Sequence, residues 1–198
     1  MTSPFTYPAS PLARRHGPEG YADYASYRPW LRDEFTSRCV YCLLRKRWVL
    51  SGLHIDHFSP VARQPELAAT YNNLLYACAS CNAAKRDLEV PDATAILLAD
   101  SLRVLKDGTI EASTPVAAWV DKILGLNAPK YREYRLLWIE IVALARKHDP
   151  DLYRRVMTFP DDLPDLAALL PPDGNTRPDG VKTSHFEQRK NATLPESY

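Results

Sequence analysis

The sequence predicts an α+β fold: a small core of short strands and a helix gathered by four cysteines, with added helices mainly on its C-terminal side. Three observations lead there. Cys39/Cys42 and Cys78/Cys81 form two CxxC pairs; short apolar runs lie between and beside them; and Thr114 to Leu126 and Pro129 to His148 repeat apolar residues at helical spacing. A chain of 198 residues buries roughly 70% of its unfolded surface without covalent staples, so one compact domain with extensions suffices. The net charge of +1 makes polyanion binding a matter of a local basic patch, not of the chain as a whole.

In chain order, residues 1–20 are Pro- and Gly-punctuated without a hydrophobic period and read as an irregular N-terminal arm. Residues 21–92 read as the core. Tyr24, Tyr27, Leu31 and Phe35 recur three to four apart, which predicts a helix from about Pro29 to Ser37 with the proline in its first turn. RWVLSGLHIDHF reads as two strands about a Ser51-Gly52 turn, the second ending on Asp56 and His57. Ser59 to Asn72 is a long loop, NNLLYAC a short strand, and ASCNAAKRDLE has helix composition. Residues 93–150 read as a helical extension packed on the core. Thr114-Pro115 is an N-cap and N1 signal, and Leu137, Ile141, Leu144 and Ala145 form an apolar stripe. Residues 151–198 form a Pro-rich segment and tail, irregular after Asp173.

No apolar run approaches the roughly 18 residues of a membrane span, and the first 20 residues lack an apolar signal core. The chain reads as cytoplasmic, without membrane contact, and there metal binding is the expected use of paired cysteines. Redox use is disfavoured because neither pair sits in a βαβ pattern. Cys39, Cys42, Cys78 and Cys81 can supply four thiolates to a closed structural zinc site. A simple ribbon spaces its knuckles by about 15 to 20 residues, whereas residues 43–77 intervene here and include LHIDHFSP. The metal would therefore hold the fold around an insert that carries the chemistry.

CVYC, IDHFSP, NNLL and CASCNAAK, in that order, resemble the HNH endonucleases, the ββα-metal family, in its HNN-type branch where Asn82 replaces the last histidine. The resemblance covers about Arg38 to Asp87. It implies that His57 is the general base, Asp56 a metal-ligating carboxylate, Asn82 the second protein ligand, and Asn73 the middle asparagine that orients the base or its loop. It also implies 5′-phosphate and 3′-hydroxyl products. The residue types agree: carboxylate and amide oxygens suit hydrated Mg²⁺ or Mn²⁺, and an imidazole can deprotonate water near neutral pH. Neighbours on a strand point to opposite faces, so both Asp56 and His57 serve one cleft only if the strand ends or bulges there.

Around the site, Lys85, which matches the family's lysine, and Arg86 share a helix face with Asn82 and can meet phosphates. Arg45, Lys46 and Arg47 either join that electropositive surface or are a solvated charge run. His54 shares a strand face with Asp56 and either touches substrate, serves as a third metal ligand, or is an ordinary surface or partly buried histidine. The expected function is phosphodiester hydrolysis in nucleic acid, DNA foremost, by a zinc-stabilised endonuclease. One alternative is an inactive zinc-stabilised nucleic-acid- or protein-binding module. Another is the nuclease subunit of a phage-defence or restriction complex, with Trp119, Tyr131, Tyr134 and Trp138 serving as core or as an interface to a partner protein.

Overall fold

The computed structural model describes residues 3–198. Helix α1 (Arg28–Glu34) carries Pro29 in its first turn, where the missing N–H costs nothing. It stops before Ser37 because Thr36 and Ser37 take left-handed φ values of 52° and 53°. The first cysteine knuckle follows, with Arg38 and Arg45 bridged antiparallel across it and Leu43 N–H donating to Cys39 O at 3.0 Å.

The expected strand over Arg47 to Leu50 is absent among the described residues. Lys46–Trp48 is a single 3₁₀ turn, and the side chains there have packing partners that a flat strand would deny them. Trp48 is buried, stacks on Trp138 at 4.4 Å between ring centroids and donates its indole N–H to Val156 O at 2.9 Å. Strand β1 (Leu53–His57) instead pairs antiparallel with β2 (Leu74–Cys78), from Leu53 opposite Cys78 to His57 opposite Leu74. Residues 58–73 thus form the loop of a wide hairpin. Every residue of β2 is buried, so it reads as a continuous apolar run. Cys78 leads directly into α2 (Ala79–Lys85) and caps it, its Sγ accepting from Cys81 N–H at 3.4 Å.

Beyond the core, α3 (Ala93–Ile96) precedes a small hairpin, β3 (Leu102–Val104) with β4 (Ile110–Ala112). α4 (Pro115–Leu124) begins at the Thr114 cap and ends where Gly125 adopts the left-handed region (φ 59°) that glycine enters without Cβ strain. α5 (Pro129–His148) is rotated from its expected stripe: Leu137 and Leu144 are 51% and 62% exposed, and the inward face runs through Arg135, Trp138, Val142 and Ala145. The Trp48–Trp138 stack fixes that rotation. α6 (Pro150–Met157) packs against α5.

Neither terminus is loose chain among the described residues. Phe5, Tyr7 and His16 are buried, and the tail forms short helices α7 (Asp179–Lys182) and α8 (His185–Lys190). Two carboxylates on α1 gather these segments. Asp33 accepts from His16 Nε2 at 2.8 Å, Arg15 at 2.8 Å, and both the ring and the backbone N–H of His185 at 2.8 and 2.7 Å. Glu34 accepts from the Arg15 and His16 backbone and from the Tyr71 hydroxyl. Buried carboxylates need such partners, and no apolar period announces them.

Candidate functional site

The four cysteine sulfurs are buried and lie within 4.8 Å of one another, Cys42 and Cys78 at 3.7 Å. A tetrahedral zinc with bonds of about 2.3 Å needs sulfur edges of about 3.8 Å. The donor set and spacing therefore fit a structural zinc. The ion would tie the knuckle after α1 to the junction of β2 and α2, fixing both sides of the hairpin loop. Hydrogen bonds from Cys39, Cys42 and Cys81 hold the Cys78 thiol below its ordinary range.

His57 is the last residue of β1 and half-buried. Its Nε2 stands 2.9 Å from Ala68 O in the hairpin loop. A carbonyl only accepts, so Nε2 carries the hydrogen, and in the neutral ring Nδ1 keeps a free lone pair. Tyr24 packs edge-on against the imidazole, with centroids 5.0 Å apart.

The loop that offers Ala68 is held by Asn73. Its Oδ1 accepts from Ser59 N–H at 2.7 Å, and its Nδ2 donates to Ser59 O at 3.1 Å and Leu67 O at 3.2 Å. Asn72, its neighbour, is exposed. Asn73 thus touches both ends of the loop and braces the carbonyl next to Leu67.

Asp56 is 3% exposed. Its Oδ2 accepts from the Tyr41 hydroxyl at 2.6 Å, and its Oδ1 lies 3.5 Å from Lys85 Nζ. Burial pushes its carboxyl above the usual range, with Tyr41 and Lys85 pulling the other way. A carboxylate has about four lone-pair sites and two are engaged here, the second at long range, so it retains capacity for a hard cation. The pleat directs Asp56 to Tyr41 and α2, and His57 to the loop. Among the described residues the two side chains share no hydrogen-bond partner.

Lys85 also donates to His57 O at 2.6 Å, which pins α2 to the end of β1. Asn82 lies one turn earlier on the same face. It is half-buried, and its amide makes no hydrogen bond among the described residues.

Two of the expected phosphate contacts, Lys85 and Arg45, are buried. Lys85 is fully buried and spends its charge on Asp56 and the His57 carbonyl. Arg45 is 1% exposed, over the rings of Trp48 and Tyr198. Lys46 pairs with Asp162 at 2.6 Å, and Arg47 donates to Phe159 O at 3.0 Å, so both face the segment after α6. Arg86 is exposed at the end of α2. His54 is half-buried with its Nε2 enclosed and unpartnered among the described residues. Trp138 and Tyr134 belong to the packing, Tyr134 donating to Trp48 O at 2.6 Å, whereas Trp119 is 43% exposed. Sequence reasoning missed Tyr41, Tyr24 and the Ala68 carbonyl. Only Tyr41 carried a signal, because it lies between the two cysteines of the first knuckle.

A hairpin with a long braced loop, followed at once by a helix and clamped by four thiols, defines a ββα module built on a metal site. The HNH endonuclease family model matches residues 39–88, the span from the first knuckle to just beyond α2, and assigns this segment to a nuclease-type family. No curated protein matches the chain. Among the described residues no helix is long and apolar enough to cross a membrane.

Proposed function

We propose that the module hydrolyses phosphodiester bonds of nucleic acid, DNA foremost, with His57 as general base. The observation that carries this reading is the hydrogen bond from Nε2 to Ala68 O. It fixes the ring's tautomer and leaves Nδ1 as the atom that takes a proton from water. The water oxygen attacks phosphorus, the bond to the 3′ oxygen breaks, and that oxygen leaves and takes a proton from solvent to become a hydroxyl, with phosphate on the 5′ side. The Ala68 carbonyl stabilises the imidazolium formed, and Asn73 is a positioning residue that keeps it in place. Asp56 and Asn82 would hold one Mg²⁺ or Mn²⁺, whose chemistry when bound is to neutralise charge on the phosphate and the departing oxygen. The four cysteines hold zinc.

Cleavage of plasmid, single-stranded DNA and RNA by the zinc-loaded chain, across Mg²⁺, Mn²⁺ and Ni²⁺, tests this. Cutting that needs a divalent ion and falls roughly 10²- to 10⁴-fold in His57→Ala supports it; unchanged cutting by that variant refutes it.

One observation favours a second reading, a zinc-stabilised binding module without chemistry: Asp56 is closed over by Tyr41 and Lys85. That reading expects no cleavage under any of the ions, and nucleic-acid or protein binding that is indifferent to Mg²⁺.

A further inference from the structure

A polar cavity of about 260 Å³ lies beside the loop that orients His57. Part of its lining is Ala69 to Asn72, directly after the residue whose carbonyl meets the imidazole. Most of the rest comes from the two ends of the chain, outside the matched segment 39–88. Gly17 to Gly20 and Thr176–Arg177 line it as a short antiparallel ribbon. Pro18 bridges to Asn175, Thr176 N–H donates to Gly17 O at 2.8 Å, and Glu19 N–H donates to Gly174 O at 3.0 Å. Tyr27 also lines the cavity, and three residues earlier on the same 3₁₀ turn (Tyr24–Tyr27) Tyr24 lies against the His57 ring. Residues three apart in a 3₁₀ helix eclipse one another, so the turn sets one ring at the imidazole and the other at the cavity.

The polar groups of this lining are open. Glu19, Thr70 and Asn72 are exposed, and the carboxylate, hydroxyl and amide they carry have no hydrogen-bond partner among the described residues. Glu19 and Arg177 are the two charged residues of the lining, one of each sign, so the cavity offers no net positive charge to a phosphate. It offers instead an amide that both donates and accepts, a hydroxyl and an accepting carboxylate, the groups that pair with the edge of a nucleobase. Its volume lies below the ~300–1,000 Å³ common for drug-sized ligands, which suits a single ring system. Tyr24 is 43% exposed and adds an aromatic surface of the kind on which bases stack. We propose that the cavity binds one unpaired nucleobase beside the scissile phosphate, with Glu19 and Asn72 meeting its edge and Tyr24 supplying a stacking surface for the neighbouring base. The claim rests on the nuclease reading for its substrate and narrows that substrate to single-stranded nucleic acid, because a paired base has already spent its edge. It also gives a binding role to the two chain ends that Asp33 and Glu34 hold in place.

Fluorescence anisotropy with the zinc-loaded full chain, without added divalent ion, tests the proposal. The probes are a short labelled single strand, the same sugar–phosphate chain lacking its bases, and a closed hairpin duplex. The single strand is expected to bind about 10-fold tighter than the base-free chain, and tighter than the duplex. Tyr24→Ala and Asn72→Ala should each remove most of that preference while binding the base-free chain as the parent does, a selective loss that a merely structural role would not produce. Asn72 is exposed and makes no side-chain hydrogen bond among the described residues, so its variant should melt with the parent. Tyr24→Trp should keep the preference, as a stacking surface does. Equal binding of the strand with and without its bases would overturn the proposal, as would a preference untouched in both alanine variants or a duplex bound as tightly as the single strand. Because no cutting is needed, the two readings fail separately. A chain that keeps the base preference yet cuts nothing under any ion loses its chemistry and retains this pocket; one that cuts but ignores the bases loses the pocket and retains its chemistry.

Discussion

The His57 imidazole is oriented by the Ala68 carbonyl, and Asn73 braces the loop that carries it through Ser59 and Leu67. Replacing Asn73 with alanine leaves the Ser59 N–H and carbonyl without their side-chain partner. A stability loss of about 1–3 kcal/mol is expected, read by urea denaturation. Cleavage should fall mainly in kcat, with KM little changed, because the base is misaligned while substrate contacts persist. An equal loss of rate in a variant that only removes surface charge, such as Arg86→Gln, would point to substrate binding instead. Asp56, His57, Asn73 and Asn82, the residues of the proposed site, stand out in the sequence because their types and order are tied to the two knuckles. The hydroxyl of Tyr41 on Asp56 and the carbonyl of Ala68 on His57 do not. A backbone oxygen has no residue signature, and Tyr41 reads equally well as an apolar member of the knuckle.

Among the elements, those with local signals were readable and those decided by distant packing were not. α4 follows from Thr114, Pro115 and Gly125, and β2 from its unbroken apolar run. The stretch after the first knuckle looked like a strand, yet Trp48 draws it into a 3₁₀ turn by stacking on α5, a partner far away in sequence. The same stack turns α5 so that Leu137 and Leu144 face outward. Removing it tests that account: Trp138→Ala should cost about 3 kcal/mol in chemical denaturation, whereas Leu144→Ala, at an exposed position, should cost under about 0.5 kcal/mol. Similar losses for the two would mean that the inward face is the stripe read from periodicity. At α7, Gly180 lies so close to Arg15 O that a Cβ would overlap it. Gly180→Ala is therefore expected to loosen the N-terminal arm, seen as faster proteolysis near Arg14 and Arg15.

For the molecule as a whole, the arm and the tail are ordered because Asp33 and Glu34 reach them. Burial alone would raise the Asp33 carboxyl, but hydrogen bonds from His16 and His185, with the charge of Arg15, hold it well below the usual carboxylate range. A carboxylate depressed in the folded state contributes stability that is present above its unfolded value, about 3.9, and is lost as pH falls through the folded one. The parent should therefore be more stable than Asp33→Asn near neutral pH, and the gap in urea midpoint should shrink as pH falls below about 4. A gap that stays constant with pH would deny the ion pairs this role. Stripping metal with a strong chelator should lower the melting temperature and abolish cleavage together, since the thiols join the two sides of the hairpin loop. The central claim is that His57 Nδ1 removes the proton from the attacking water. Single-turnover cleavage by His57→Ala, with and without added imidazole, tests it most directly: the expected result is a rate lost without imidazole and partly restored with it, and a variant that cuts at the parent rate would contradict it.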